Sequence, residues 1–159
     1  APTIVTAGGA EKYVLAKANG FDHVMEYTST DLEAEVMRLT NGEGVNVAYD
    51  SVGNDTMART ITSTKRRGTI IAFGQSSGPY VNFKITDLSK GSYYLSRPTL
   101  FHFVGDRSWL DTASAKLFKA VTDGTINVSI NQRFALEDVA KAHEALTGRA
   151  TTGCTIPTG

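Results

Sequence analysis

The sequence predicts an α/β fold with a doubly wound, mainly parallel sheet and helices on both faces. Short apolar and β-branched runs alternate with segments of helical periodicity, as they do in successive βαβ units. The predicted strands are apolar without strict alternation, which is typical of strands covered on both faces. A length of 159 residues with 41% hydrophobic residues is enough for one substantial core.

Strands are predicted where apolar and β-branched residues run together without helical spacing. In chain order these runs cover residues 3–6, 23–27, 45–49, 69–73, 93–95 and 154–156. Gly68 precedes the fourth run and Pro98 follows the fifth, where each residue limits regular pairing.

Helices are predicted where apolar residues recur every three or four positions. In chain order they cover residues 10–18, 31–40, 54–63, 85–90, 109–121 and 136–146. Thr30 and Glu33 have the spacing of a capping box, and Asn54 or Asp55 can cap the third helix. The basic run at residues 65–67 is interpreted as the solvated end of that helix, where cations meet the C-terminal dipole favourably.

Composition narrows the classes of function. Lys plus Arg and Asp plus Glu number 16 each, so nucleic-acid binding is not expected. The single cysteine, Cys154, has no neighbouring His or Cys at the spacing of a zinc site, and we predict no metal. The apolar runs are far shorter than the roughly 20 residues of a membrane helix. We therefore expect a cytoplasmic protein that does not bind membranes.

The loop after the first predicted strand indicates a nucleotide site. In parallel α/β sheets, dinucleotides bind where loops and helix N-termini meet the carboxyl ends of the strands. An NAD-preferring protein usually has a carboxylate at this strand end, whereas this chain has Ala7, Gly8 and Gly9, with Lys12 following. Space and charge favour the 2′-phosphate of NADP. The alternative is a plain turn with a solvated lysine.

Two further strand ends carry candidate ligand groups. Tyr27 closes the second strand and could offer its hydroxyl to the same phosphate. Gly74 permits close approach of the backbone to a ligand, and the polar residues Gln75 and Ser76 follow it. Packing of the tyrosine and a purely structural turn are the alternatives.

A glycine fingerprint for pyrophosphate is not found in its required context. Residues 42–44 (Gly-Glu-Gly) follow a helix and precede a strand, which is the reverse of the required order. We interpret them as a helix stop. The first strand and glycine-rich loop of such a domain are therefore expected to lie before Ala1.

Five sequence blocks resemble one family in order and spacing. They are YDSVG at 49–53, RRG at 66–68, FGQSSG at 73–78, YLSRPTL at 94–100, and AHE at 142–144 with RATTG at 149–153. Together they are similar to the zinc-independent NADPH:quinone oxidoreductases of the zeta-crystallin-like group, in the medium-chain dehydrogenase/reductase superfamily. The resemblance extends over essentially the whole chain.

The resemblance implies a domain organisation. Residues 1–125 would form a truncated Rossmann-type NADP-binding domain, lacking its first strand and glycine-rich loop. Residues 126–159 would return to a chaperonin-10-like catalytic domain that this chain does not contain. The segment from Tyr93 to Pro98 would pair with its counterpart in a homodimer, the alternative being an interior strand of one subunit.

The resemblance also implies roles for single residues. Lys12, Tyr27 and Arg149 would grip the adenosine 2′-phosphate, the Ser51–Gly53 turn would contact the middle of the cofactor, and the Phe73–Ser76 loop would lie against the nicotinamide half. Gln75 stands where relatives often have asparagine. The predicted cofactor-binding set is Gly8, Lys12, Tyr27, Ser51, Gly53, Phe73, Gly74, Gln75, Ser76 and Arg149.

These features predict an NADPH-dependent oxidoreductase. The intact enzyme would transfer hydride from NADPH to a quinone or a related electron-poor carbonyl or alkene. No catalytic residue is assigned, because the groups that polarise the substrate are expected mainly in the other domain, and the isolated chain is expected to be inactive. The alternative is a non-catalytic scaffold or dimerisation fragment that binds no nucleotide.

Overall fold

Strands and helices alternate along residues 1–27, 29–148 and 150–159, the part of the chain that the computed structural model describes. The strands are β1 (Ile4–Ala7), β2 (His23–Glu26), β3 (Val45–Asp50), β4 (Thr64–Ala72), β5 (Tyr94–Ser96), β6 (Ile130–Ala135) and β7 (Cys154–Thr158). The α-helices are α1 (Ala10–Ala18), α2 (Leu32–Leu39), α3 (Met57–Thr62), α4 (Phe101–Val104), α5 (Arg107–Thr122) and α6 (Val139–Thr147). Two 3-10 helices cover Ile85–Lys90 and Leu136–Asp138.

The chain divides into two units, Ala1–Thr99 and Leu100–Gly159. The first unit contains β1 paired with β2, and a separate sheet in the order β3-β4-β5. The second contains β6 paired with β7. Every strand pairing in the described residues is parallel, so the predicted parallel α/β fold is confirmed.

The split between the two sheets of the first unit matches a known strand order. Dinucleotide-binding sheets commonly have the order 3-2-1-4-5-6. In that order β1 and β2 take the places of strands 2 and 3, and β3, β4 and β5 take the places of strands 4, 5 and 6. No strand of the described residues takes the central place of strand 1.

Each sheet of the first unit has its own apolar cluster. Met57, Ile61, Ile70 and Ala72 join α3 to β4, with the side chain of Ile70 fully buried. A second cluster joins β2 to α2 through Met25, Leu32 and Val36. Burial of a side chain such as Ile70 contributes about 1.5–3 kcal/mol to the free energy of unfolding.

The basic run at residues 65–67 belongs to β4, and its interpretation as a helix end is wrong. Helix α3 already ends at Thr62, and Thr64 pairs with Val45 at the start of the strand. The register then shifts, and Arg67 has φ +61° while its N–H donates to the carbonyl of Gly91 at 2.7 Å. A bulged strand entry has therefore replaced the predicted last helical turn.

Both predicted helix caps are also displaced. Asp31, not Thr30, caps α2, and its carboxylate accepts from the N–H of Ala34 at 3.2 Å. Helix α3 begins after Thr56, so neither Asn54 nor Asp55 is its N-cap. The one-residue shift in α2 gives the first turn a charged acceptor, which bonds more strongly than a hydroxyl.

The second unit contains a strand that the sequence pattern did not indicate. Residues Ile130–Ala135 form β6, although they mix polar and apolar side chains without a continuous apolar run. This segment forms a strand because it pairs in parallel with β7. The domain boundary expected between residues 125 and 126 stays a prediction.

Among the described residues, no helix combines the length and apolarity needed to cross a membrane.

Candidate nucleotide-binding site

The carboxyl ends of β1 and β2 bring Gly8 and Tyr27 into contact. The two strands are parallel, and the N–H of Tyr27 donates to the carbonyl of Ala7 at 3.2 Å. A Cβ atom placed on Gly8 would lie 2.9 Å from the Tyr27 hydroxyl oxygen. The tyrosine ring therefore occupies the space that a side chain at position 8 would need.

Helix α1 starts at the same strand end. Its N-cap, Gly9, has φ +103° and supplies no side-chain acceptor for the first turn. Lys12 lies in that turn and is half-buried. Uncapped N–H groups, the positive end of the helix dipole and an ammonium group are features that stabilise a bound phosphate.

Arg59 reaches the same region from α3. Its Nη1 donates to the carbonyl oxygen of Tyr27 at 3.4 Å, and its Nη2 donates to the carbonyl oxygen of Asp55 at 3.0 Å. Arg59 was not predicted as a site residue, because an arginine on a short helix gives no signal of its own. Arg149, predicted with Lys12 and Tyr27 to grip the adenosine 2′-phosphate, lies outside the described residues.

The carboxyl ends of β3 and β4 carry two loops, residues 51–55 and 73–78, which are hydrogen-bonded to each other and are called the paired loops. Bonds between their backbones are Ser76 N–H to Ser51 O at 3.2 Å, Ser77 N–H to Val52 O at 2.8 Å, and Asn54 N–H to Gly78 O at 3.0 Å. The Ser77 hydroxyl donates to Val52 O at 2.7 Å and accepts from the N–H of Asp55 at 3.1 Å. The predicted residues Ser51, Gly53, Phe73, Gly74, Gln75 and Ser76 all lie in the paired loops or at their edge.

Close packing in the paired loops depends on glycine at two positions. Gly53 has φ +91°, and a Cβ atom there would lie 2.5 Å from the carbonyl oxygen of Gly78. A Cβ atom on Gly74 would collide with the backbone of Ser51. Both predicted glycines are therefore required sterically by the approach of one loop to the other.

Asp50 closes β3 with a buried carboxylate, which is 3% exposed. Its Oδ1 accepts from the N–H groups of Val52 and Gly53, both at 2.9 Å. Its Oδ2 accepts from the hydroxyls of Thr56 at 2.8 Å and Thr60 at 2.7 Å. These donors satisfy the hydrogen-bonding capacity of a buried polar group that would otherwise destabilise the fold.

Aromatic surface and a cavity adjoin the paired loops. The ring of Phe73 is 52% exposed and meets Tyr49 edge-on, with ring centroids 6.5 Å apart. Arg97 donates to the carbonyl of Ala72 at 3.0 Å and to the amide oxygen of Gln75 at 3.5 Å. A cavity of about 240 Å³ is lined by Gly53, Met57, Ala72, Gly74, Gln75, Pro79, Tyr80, Phe83, Leu95 and Arg97.

The structure thus collects the described site residues at two places. Gly8, Lys12 and Tyr27 lie at the ends of β1 and β2, and the other predicted residues lie in the paired loops. Sequence reasoning missed Asp50 and Ser77, although both lie inside the sequence blocks used for the resemblance. Within the part of the chain that the structure describes, no three His, Cys, Asp or Glu side chains form a group that could hold a metal ion.

The chain is similar to known proteins over nearly its full length. Residues 19–156 match the family described as zinc-binding dehydrogenase. A quinone oxidoreductase from Pseudomonas aeruginosa is 38% identical over 154 residues, which cover 96% of this chain and 47% of that protein. A 2-haloacrylate reductase from Burkholderia sp is 35% identical over 158 residues, covering 98% of this chain and 47% of that protein.

Solved structures give the same result. The structure of Escherichia coli quinone oxidoreductase complexed with NADPH matches with a TM-score of 0.92 at 37% identity. The match covers 98% of this chain and 49% of that chain. The predicted resemblance to quinone oxidoreductases and the Rossmann-type fold are confirmed, and this chain spans about half the length of the curated relatives that it matches.

Proposed function

This chain belongs to the zinc-binding dehydrogenase family, and on that premise we propose that it is the NADP-binding part of an NADPH-dependent quinone oxidoreductase. The observation that carries the proposal is the strand-end site around Gly8. The glycine leaves room for Tyr27, no carboxylate stands at Ala7, Gly8 or Gly9, and Lys12 follows within one helical turn. Such a site favours the extra phosphate of NADP over the free ribose hydroxyls of NAD.

The two groups of residues have different roles in the proposal. Gly8, Lys12 and Tyr27 bind the adenosine 2′-phosphate, with Arg149 as a further cation. In the paired loops, the Ser51–Gly53 turn contacts the middle of the cofactor and the Phe73–Ser76 loop lies against the nicotinamide half. Gly53 and Gly74 let each loop pack against the backbone of the other, so that the two loops can present one surface to the cofactor.

The chemistry of the proposed reaction is hydride transfer. NADPH, when bound, supplies the hydride. The residues of this chain bind and orient the cofactor, and the substrate-polarising groups belong to the other half of the intact enzyme. The proposed acceptor is a quinone or a related electron-poor carbonyl or alkene, and the similarity to a reductase named for 2-haloacrylate supports including alkenes.

A homodimer and a cytoplasmic location complete the proposal. Strand β5 pairs with β4, and no described strand pairs with its other edge. Tyr94 on that strand is 65% exposed. The segment from Tyr93 to Pro98 is therefore available to pair with its counterpart in a second subunit, which would cover an exposed strand edge.

The test is a fluorescence titration of the full-length enzyme with NADPH and with NADH. Preference for NADPH by at least about tenfold is expected, because one charge-assisted phosphate contact contributes about 1.5–3 kcal/mol. Equal affinity for NADH would refute the assignment. Calorimetry of the 159-residue chain with NADPH separates nucleotide binding from the scaffold alternative, since micromolar binding excludes a module that binds no nucleotide.

A further inference from the structure

We propose that Asp50 and Ser77 are positioning residues that hold the paired loops as one rigid platform for the nicotinamide half of the cofactor. The inference rests on the proposed function for its ligand. Its structural part rests on the described hydrogen bonds alone. Neither residue belongs to the predicted cofactor-binding set.

Asp50 is bonded to both loops at once. Its carboxylate fixes the first loop through the N–H groups of Val52 and Gly53. Its backbone carbonyl accepts from Phe73 at 2.9 Å and from Gly74 at 3.3 Å, which are the first residues beyond β4. A single buried residue therefore sets the start of the second loop and the turn of the first.

Ser77 joins the far ends of the same loops. Its hydroxyl bridges the carbonyl of Val52 and the N–H of Asp55, and its own N–H also donates to Val52. The N–H of Val52 donates to Asp50, and the carbonyl oxygen of Val52 accepts from Ser77. Both backbone polar groups of Val52 are therefore hydrogen-bonded. Satisfied networks of this kind restrict a loop to one conformation.

Two threonines at the N-terminal end of α3, the N-cap Thr56 and Thr60, support the carboxylate. Thr56 and Thr60 donate their hydroxyls to Asp50, and both are at least half-buried. These bonds fix the rotamer in which Oδ1 faces Val52 and Gly53. A binding site held on such a supported backbone loses less conformational entropy when its ligand binds.

The first test measures hydrogen exchange in the ligand-free full-length protein. Ser77→Ala removes both hydroxyl bonds, and exchange at Asn54 and Asp55, in the other loop, is expected to rise by about fivefold or more. Ser77→Thr keeps a hydroxyl and should restore slow exchange. The matched control is Ser89→Ala, which removes a hydroxyl-to-carbonyl bond to Thr86 of 2.7 Å outside the paired loops. If exchange becomes faster only at residues 73–78, the proposal that Ser77 holds the two loops together is wrong.

The second test compares two ligands. Adenosine 2′,5′-bisphosphate lacks the nicotinamide half and should contact only the Gly8 and Tyr27 region. Ser77→Ala is expected to weaken NADPH binding by about fivefold to tenfold, the effect of one or two lost hydrogen bonds, and to leave the bisphosphate affinity unchanged. Equal weakening of both ligands would indicate general destabilisation and overturn the proposal.

Asp50 variants give an independent check on the carboxylate. Asp50→Asn keeps Oδ1 as an acceptor for Val52 and Gly53, whereas Asp50→Ala removes it. The alanine variant should reproduce the selective loss of NADPH affinity, and the asparagine variant should retain most of it. If Asp50→Ala fails to fold, the Ser77 series still decides the question. If the unmodified enzyme binds neither ligand, the proposed function fails while the exchange measurement still tests the platform.

Discussion

The ring of Tyr27 stands where a side chain at Gly8 would project, with the hydroxyl oxygen 2.9 Å from the position of a Cβ atom. Parallel pairing of β1 and β2 creates this relationship, because it places the residues that follow both strands at one edge of the sheet. The ring of Tyr27 and the backbone of Gly8 are therefore in direct contact. The position of this contact at the start of α1 is the basis of the proposed 2′-phosphate site.

Tyr27→Phe should lower affinity for NADPH about fivefold and leave affinity for NADH unchanged, because it removes one hydroxyl but keeps the ring. Fluorescence titration of the full-length enzyme with both cofactors measures the two affinities. The matched control is Tyr13→Phe, a tyrosine on α1 whose loss of hydroxyl should affect neither. An equal loss for NADH would mean that Tyr27 does not recognise the phosphate.

Gly53→Ala should lower the free energy of unfolding by about 2 kcal/mol or more, because it adds a clash to a positive φ. The clash is with the carbonyl of Gly78, 2.5 Å from the new Cβ atom. Gly20→Ala is the control, since Gly20 has φ +84° with open space around its Cβ position. Urea denaturation should show the control losing only about 1 kcal/mol. Equal losses would contradict the steric argument.

Arg59→Met should destabilise the first unit by about 1–3 kcal/mol, because the partly buried carbonyl oxygen of Tyr27 and the exposed carbonyl oxygen of Asp55 lose a charged donor. Arg38→Met provides the comparison. Arg38 is bonded to Glu35 on the surface, and loss of such a pair costs about 0.2–1 kcal/mol. Chemical denaturation followed by circular dichroism measures the free energy of unfolding of both variants. If Arg59→Met lowers it no more than Arg38→Met does, the bonds of Arg59 to the Tyr27 and Asp55 carbonyls do not stabilise the fold.

The N-cap of α5 should make the stability of that helix depend on pH. Bonds from the N–H of Trp109, then from the hydroxyl and the N–H of Ser108, lower the pKa of the Asp106 carboxyl below its ordinary value. Since the folded-state pKa is depressed, the stabilisation is present above the unfolded pKa and is lost as pH falls through the folded value. Asp106→Ala should therefore destabilise the protein at neutral pH, and by progressively less as the pH falls below the ordinary pKa of an aspartate.

Thermal unfolding monitored by circular dichroism across this pH range tests the prediction. Asp106→Asn retains a neutral acceptor, so its effect should vary little with pH. A difference between the alanine variant and the unmodified protein that persists at low pH would show that the charge on Asp106 is not responsible.

Local sequence patterns located most elements but not their limits. The spacing of apolar residues identified α2 and the position of β4, because the buried face of a helix and the buried residues of a strand recur at characteristic intervals in the sequence. It failed at residues 65–67 and at β6, where pairing with a distant strand overrides local preference. Strand pairing is a non-local interaction. A segment of mixed polar and apolar residues such as β6 gives no local signal that it will pair.

The order of most strands and helices, the family resemblance and the residue types at the strand ends follow from the sequence alone, because these are properties of neighbouring residues and their spacing. The folded structure was needed to find β6 and to establish that the Tyr27 ring lies against Gly8, that Arg59 reaches the Tyr27 carbonyl, and that Asp50 and Ser77 hold two loops together. Each of these contacts joins segments brought together by parallel strand pairing and helix packing. Their geometry depends on the register and the backbone path of the folded chain, which local periodicity does not encode.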